Sequence, residues 1–284
     1  MRVGWLIDGQ MFPAYRDELT SCIRAQGHDI RLIGAPNPPY RWDDVDSAYR
    51  SAFPADACVV THGDIELVMR VARERIWTPG VFATVEHFAC SHYFCHFGEH
   101  LLGREYLMVP FGELRRLKEY LFDTVGCDGR VFVRPDSPLK LFTGQVVSAS
   151  TFDTDFEFMG FYEFPFESIV VVSAPRVIQV EWRFVVADRE VIAGSQYKVA
   201  GKNVVAATYD AAARELAADI AKSEYQPDRV WVMDVCRTAE GEYRLLEIGG
   251  FSFADLYACN KAAIVEAVSI AALAEWTARP LRHT

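Results

Sequence analysis

The chain has 284 residues and a mass of 32.1 kDa, more than one typical domain and enough to bury a substantial core. It is 51% hydrophobic, 24% charged and 13% aromatic, which excludes a chain that stays disordered. With 29 Lys and Arg against 39 Asp and Glu, a net charge of −10, nucleic acid and anionic membrane are poor partners.

The opening MRVGWLIDG reaches Asp8 after too few apolar residues for a signal peptide, and the best apolar run near the C-terminus is interrupted by Glu266. The seven cysteines are odd in number and form no Cys-x-x-Cys pair, which fits a reducing cytoplasm. Short β-branched runs at 3–7, 29–33, 57–61 and 81–85 alternate with helical stretches at 13–26 and 64–75, the pattern of a parallel sheet covered on both faces. No Gly-x-Gly-x-x-Gly follows the first run, so dinucleotide binding has no local support. A helical region at 86–102, a strand at 106–110 and an amphipathic stretch at 112–125 follow, and a lobe boundary is expected near 126–129. From Arg130 onward the strands are longer and come in antiparallel pairs, with helices predicted at 209–223 and 253–276. The expected architecture is an α/β N-terminal lobe followed by an α+β half.

Three constellations could carry chemistry. In the hairpin from Val230 to Ile248, a turn centred on Glu240 and Gly241 sets Asp234 opposite Glu247 on a face shared with Val230, Val232, Tyr243 and Leu245. Two like charges at a cross-strand spacing of about 4.5 to 5.5 Å repel, so something cationic should lie between them. A hard divalent ion such as Mg²⁺ carrying nucleotide phosphates meets that need; alternatively, a bulge turns one acid to solvent. Second, a strand ending at Arg134 leads into a polar loop with Ser137, Lys140, Thr143 and Gly144, suited to phosphate or else an ordinary solvated hairpin loop. Third, alternation along 179–187 puts Glu181, Arg183 and Val185 on one face and Trp182, Phe184 and Val186 on a core face. A turn at Asp188 and Arg189 sets Gly194 opposite Arg183, leaving room for a ligand, while an exposed Glu181–Arg183 ion pair is the plainer alternative.

In this order the three constellations resemble the ATP-grasp superfamily, in which two α+β subdomains hold ATP between them, over roughly residues 80–276. The piece from Glu247 to Tyr257 looks most like a small branch of proposed amino-acid or peptide ligases. The resemblance implies an N-terminal pre-grasp unit at 1–110 and a grasp unit at 111–284, with subdomains at 111–168 and 169–284. It implies that Arg134 and Lys140 hold the ATP phosphates, that backbone of Val171, Val172 and Ser173 meets adenine, that Lys198 joins the nucleotide-binding set, that Arg183 is catalytic at the transferred phosphate, and that Asp234 and Glu247 bind Mg²⁺. Two departures stand out. The customary Glu-x-Asn reads Glu247-Ile248-Gly249, leaving open one or two metal ions, and Arg134 stands where many relatives carry Lys.

The activity so implied is an ATP-dependent carboxylate–amine ligase working through an acyl phosphate, on small-molecule or peptide carboxylates and amines. The alternatives are a MgATP-binding protein acting through partners and a phosphotransferase. Lys198, Tyr257 or a substrate group could take the amine's proton. Among weaker signals, 194–203 is a failed Walker A loop, with Lys202 in a turn. His92, His96 and His100 fall four apart, a zinc-like spacing, although the interleaved Phe88, Tyr93, Phe94 and Phe97 favour packing or a pocket wall. The stripe Ile264, Val265, Val268, Ala271 and Ala272 is core by helical spacing or the seam of a homodimer.

Overall fold

The first strand, Gly4–Asp8 (β1), is buried at every position, as the centre of a covered parallel sheet requires. The computed structural model describes residues 1–34, 48–139, 141–161 and 164–279; the expected phosphate ligand Lys140 lies outside the described residues. β1 pairs in parallel with Asp29–Ile33 (β2) and Cys58–His62 (β3), and β3 with Thr78–Gly80 (β4), in the order β2-β1-β3-β4. The fourth strand therefore ends before the predicted run at 81–85. Gly80, at φ +75°, turns the chain out of the sheet, and Val85–Phe88 forms a 3-10 turn. Helices Arg16–Ala25 and Ile65–Glu74 pack on this sheet, and the Asp64 carboxylate caps the latter by accepting from the Glu66 N–H.

The predicted helix at 86–102 is broken at Ala89, whose backbone is extended, leaving Cys90–Phe97 as the helix. His100 lies beyond its last turn, and the His96 ring stacks on Tyr225 with centroids 4.0 Å apart. Among the described residues no group of three or more His, Cys, Asp or Glu is placed to hold a metal. The buried Phe88, Tyr93, Phe94 and Phe97 make this segment a packing element.

A second sheet is antiparallel and contains Tyr106–Pro110 (β5), Arg130–Pro135 (β6), Gln145–Ser148 (β7) and Ile169–Ser173 (β8) in the order β5-β8-β6-β7. The expected divide at 110/111 falls at the end of β5, and that at 168/169 just before β8, one of the two inner strands of this sheet. The stretch 111–125 is helical but changes type, from 3-10 at Phe111–Leu114 to a π turn at Leu121–Val125, where the Gly126 N–H reaches back to the Leu121 carbonyl at 2.8 Å. The helix Phe152–Gly160 packs its buried Phe152, Phe156 and Met159 beneath the sheet.

The third sheet comprises Ile178–Ala187 (β9), Glu190–Val199 (β10), Lys202–Ala206 (β11), Val230–Thr238 (β12) and Tyr243–Gly250 (β13) in the order β11-β10-β9-β12-β13. Trp182, Phe184 and Val186 face the core formed with helix Ala211–Ala221, as alternation predicts. Val185 on the opposite face is buried as well, under helix Lys261–Ala278. That helix starts eight residues later than predicted, where the Asn260 side chain accepts from the Ala263 N–H, and residues 254–260 are loop. Its stripe from Ile264 to Ala272 packs against Val3, Trp5, Ile7 and Val232 of the same chain, so it is no dimer seam. Lys202 opens β11 directly after a turn at Ala200 and Gly201, both at positive φ.

Candidate active site

All three sheets contribute to one cleft of about 670 Å³. The N-terminal sheet supplies Met11, Phe12, Gly63, Asp64 and Ile65 from loops at the C-terminal ends of its strands. The second sheet supplies Phe132, Arg134, Ser137, Thr143 and Gly144, and the third supplies Glu181, Arg183, Tyr197, Lys198, Asp234 and Glu247.

Asp234 and Glu247 are direct partners across the β12–β13 ladder, and both line the cleft. The register slips by one residue immediately afterwards, Val235 pairing with Leu245, so Leu246 is the extra residue of a bulge. The bulge reverses the expected face beyond the acids: Tyr243 and Leu245 join Trp231 and Met233 on the opposite side, while Asp234 stays with Val230 and Val232. It also presents the Leu246 carbonyl to Arg134, whose Nη1 donates to it at 3.4 Å.

Each acid is met by an arginine. The Arg183 Nε and Nη2 donate to the two oxygens of Asp234, both at 2.8 Å, and its Nη1 donates to the Asp255 carbonyl at 3.0 Å. Arg134 on β6 reaches from the second sheet to donate to Glu247 Oε2 at 2.9 Å. The cation expected between two facing acids is thus supplied by two guanidinium groups, whose planar forks suit carboxylate now and phosphate equally well.

Around this quartet lies a second layer. Lys198 is 3.3 Å from Glu181, and the Tyr197 hydroxyl is within hydrogen-bonding distance of both Glu181 and Asp234. The Tyr197 ring stacks on Tyr257 at 4.8 Å with the planes 6° apart, and the Arg183 guanidinium lies 5.2 Å from the Tyr257 centroid. Burial pushes the Tyr197 hydroxyl well above the ordinary phenol value and that of Tyr257 up to about 12, so both keep their protons. Burial also drives the Asp234 carboxyl upward against the opposing pull of Arg183.

One expectation is corrected, and the surroundings of another are seen. Gly194 lies opposite Phe184, and Ser195 is the residue opposite Arg183, because a one-residue shift between Val191 and Ala193 displaces the β9–β10 register; a second shift follows between Gln196 and Lys198. Gly194 makes room for aromatic rings, not a ligand: a Cβ there would sit 2.6 Å from the Phe184 ring and 2.9 Å from that of Tyr209. Val171, Val172 and Ser173 do not line the cleft, and their strand is laddered to β5 on one side and β6 on the other, which occupies the backbone groups assigned to adenine. The segment 174–177 is the first backbone beyond that double ladder.

The phosphate-loop region is held from its base. Asp136 accepts from the Ser91 N–H at 2.6 Å and the Ser91 hydroxyl at 2.9 Å, at the start of helix Cys90–Phe97. Gly144 has no space for a side chain, since a Cβ would meet the Phe132 ring at 2.8 Å. The residues missed from sequence are Tyr197, which falls at a bulge, and the contributors 11–12 and 63–65. The signal for the latter was the crevice at the C-terminal ends of parallel strands, where α/β sheets bind ligands.

The donor set fits Mg²⁺ with a nucleotide: two adjacent carboxylates in a cleft with room for a triphosphate, where Mg²⁺ takes one or two carboxylates and completes its shell with phosphate and water. A metal held by protein alone is not provided for among the described residues. Among those residues, no helix is long and apolar enough to cross a membrane.

A search among curated proteins found no match. Among solved structures the chain is similar to D-cycloserine synthetase DcsG, with a TM-score of 0.63 at 15% identity over 96% of this chain and 100% of that one. It is similar to the ATP-grasp ligase PsnB complexed with minimal precursor, Mg and ADP, with a TM-score of 0.54 at 13% identity over 97% and 98% of the two chains. D-alanine--D-alanine ligase from Bacillus anthracis complexed with ATP gives a TM-score of 0.55 at 10% identity over 99% and 100%. At such identities the likeness shows a shared fold. The family described as ATP-grasp domain, R2K clade family 2, matches residues 102–267, more than half of the chain, and the protein belongs to that family.

Proposed function

We propose that the protein is an ATP-dependent carboxylate–amine ligase that forms an amide or peptide bond through an acyl phosphate, releasing ADP and phosphate. The observation that carries this is the facing pair Asp234 and Glu247, each held by an arginine, on the wall of a cleft to which all three sheets contribute. Phosphoryl transfer asks for alignment and charge neutralisation more than covalent help, and this site is composed of such groups.

Asp234 and Glu247 would hold Mg²⁺, which when bound neutralises phosphate charge. Arg134 turns from Glu247 to the ATP phosphates, while Lys198, held at Glu181, adds positive charge to the same wall. Arg183 turns from Asp234 to the transferred phosphoryl group as a substrate carboxylate oxygen attacks phosphorus and ADP leaves. The amine then attacks the acyl carbon and phosphate departs. Adenine would meet backbone where the chain leaves Val171–Ser173 for Ile178, a residue that lines the cleft. The three sheets suggest the working division: an N-terminal unit up to β4 that walls the substrate end, and two clasping subdomains. A cytoplasmic enzyme acting on small-molecule or peptide substrates is consistent with the all-thiol cysteines and with the ligase neighbours.

The test is ADP release from MgATP by the purified full chain with pooled amino acids and peptides, alone and with hydroxylamine. ADP and a hydroxamate formed only when a carboxylate is present support the ligase. Tight MgATP binding without ADP under any acceptor condition would favour the partner-acting binding protein, and ADP with a stable phosphorylated product the phosphotransferase.

A further inference from the structure

Among the described residues, the Tyr197 hydroxyl is shared by two acids of the cleft. It lies 2.5 Å from Glu181 Oε2 and 3.1 Å from Asp234 Oδ2, and it carries a single proton. The Asp234 oxygen it approaches is the one that Arg183 Nη2 holds. Glu181 has a cation of its own, Lys198. The tyrosine sits where the β10 register slips after Gln196, an irregularity that carries its hydroxyl in beside both acids. Its ring is fixed by the parallel stack on Tyr257, leaving rotation about the C–O bond as the hydroxyl's remaining freedom.

The proposed reaction sets a problem that this arrangement answers. Asp234 is 1% exposed, and its charge is balanced by a two-pronged contact to Arg183. If Arg183 leaves for a phosphate, Asp234 loses two charge-assisted hydrogen bonds at once; a bound Mg²⁺ would balance its charge, but the orientation of the carboxylate then needs another donor at hand. With Lys198 still on Glu181, the Tyr197 proton can swing to Asp234 without any heavy atom moving.

We propose that Tyr197 is a positioning residue for Asp234: its hydroxyl, shared with Glu181, holds the Asp234 carboxylate in its ligating orientation when Arg183 exchanges that carboxylate for a phosphate. The inference rests on the proposed MgATP site, and it assigns to the hydroxyl a role in the loaded state only.

The experiment counts bound Mn²⁺ by electron paramagnetic resonance on the full chain with a non-hydrolysable ATP analogue, for wild type, Tyr197→Phe, Asp234→Asn and the double variant. Thermal unfolding of each is followed with and without Mn²⁺ and nucleotide. Phenylalanine keeps the stack and removes only the hydroxyl. The expected result is at least about tenfold weaker Mn²⁺–nucleotide binding by Tyr197→Phe, the scale of one hydrogen bond to a charged group. The rise in unfolding temperature on loading should shrink, and adding Tyr197→Phe to Asp234→Asn should cause no further loss. Equal binding by wild type and Tyr197→Phe overturns the proposal, as does an equal loss in the Asp234→Asn background. A variant that lowers the unfolding temperature of the free protein while keeping the full rise on loading also overturns it, because that marks a purely structural residue. A wild type that binds no Mn²⁺ with nucleotide overturns the MgATP site itself, and this inference with it.

Discussion

Arg134 and Glu247 join two sheets across the cleft: a guanidinium at the end of β6 donates at 2.9 Å to a carboxylate on β13, and the neighbouring Leu246 carbonyl takes a second, longer contact. The pair bonds the second sheet to the third, and the proposed function gives each member another partner when nucleotide is bound.

Replacing Glu247 by Gln should therefore separate folding from binding. Its carboxylate is 38% exposed, so solvent screens the pair and the stability loss in urea unfolding should stay below about 1 kcal/mol. Affinity for the Mg²⁺ complex of a non-hydrolysable ATP analogue, measured by calorimetry, should fall at least about tenfold.

Asp234→Ala should behave differently, because it strands a guanidinium that is 12% exposed beside a site where the lost acid was 2% exposed. Unfolding free energy should drop by about 3 to 5 kcal/mol. The double variant Arg183→Met with Asp234→Leu should regain most of that stability and bind no nucleotide. A double variant no more stable than the single would show that the pair's charges are not what burial penalises.

Stability against pH should show two opposing slopes. Burial lowers the His62 pKa from 6.5 to about 4, so between these values the unfolded chain binds the extra proton; stability is full above pH 6.5 and declines toward pH 4, by on the order of 3 kcal/mol. Burial raises the Asp228 pKa from 3.8 to about 6, so there the folded chain binds the extra proton and stability declines as pH rises through that window. Urea midpoints at pH 4, 5, 6 and 7 should fall with rising pH in His62→Phe, and rise with pH more steeply than wild type in Asp228→Asn.

Gly194→Ala tests the reassignment of that glycine. A methyl 2.6 Å from the Phe184 ring should cost about 1 to 3 kcal/mol of stability, read from urea midpoints. Nucleotide affinity of the folded fraction should stay as in wild type. A tenfold loss of affinity at unchanged stability would return Gly194 to the ligand side.

The pairing of Asp234 with Glu247 came out as counted because two one-residue offsets cancel: next to the turn the ladder is centred on Glu240, with Val235 opposite Leu245, and the bulge at Leu246, between the turn and the acids, restores the counted register. The same counting failed on β10, where two one-residue shifts move Gly194 off Arg183 and bring Tyr197 inward. A bulge arises from packing on both faces of a sheet, and one strand's residues do not reveal it. The two-sided pairing of the strand expected at adenine was not legible for a related reason. The run 169–173 reads as an extended apolar segment, but whether its edges are open depends on neighbours far away in the chain, Tyr106–Pro110 and Arg130–Pro135. The N-terminal strands were legible from their apolar runs, apart from β4, whose end is set by the backbone of Gly80.

Helix Lys261–Ala278 covers Trp5 and its neighbours on β1 while also backing Val185 and Val232 of the third sheet, and the Trp5 indole donates to Ser269 at 3.2 Å. Segments linked by residues 264 apart in the chain thus complete one core, and the large apolar side chains of β1 stay uncovered until both have been made. A variant lacking helix Lys261–Ala278 would uncover β1 and the third sheet together, so it should aggregate where loss of a peripheral element would leave a trimmed but folded protein.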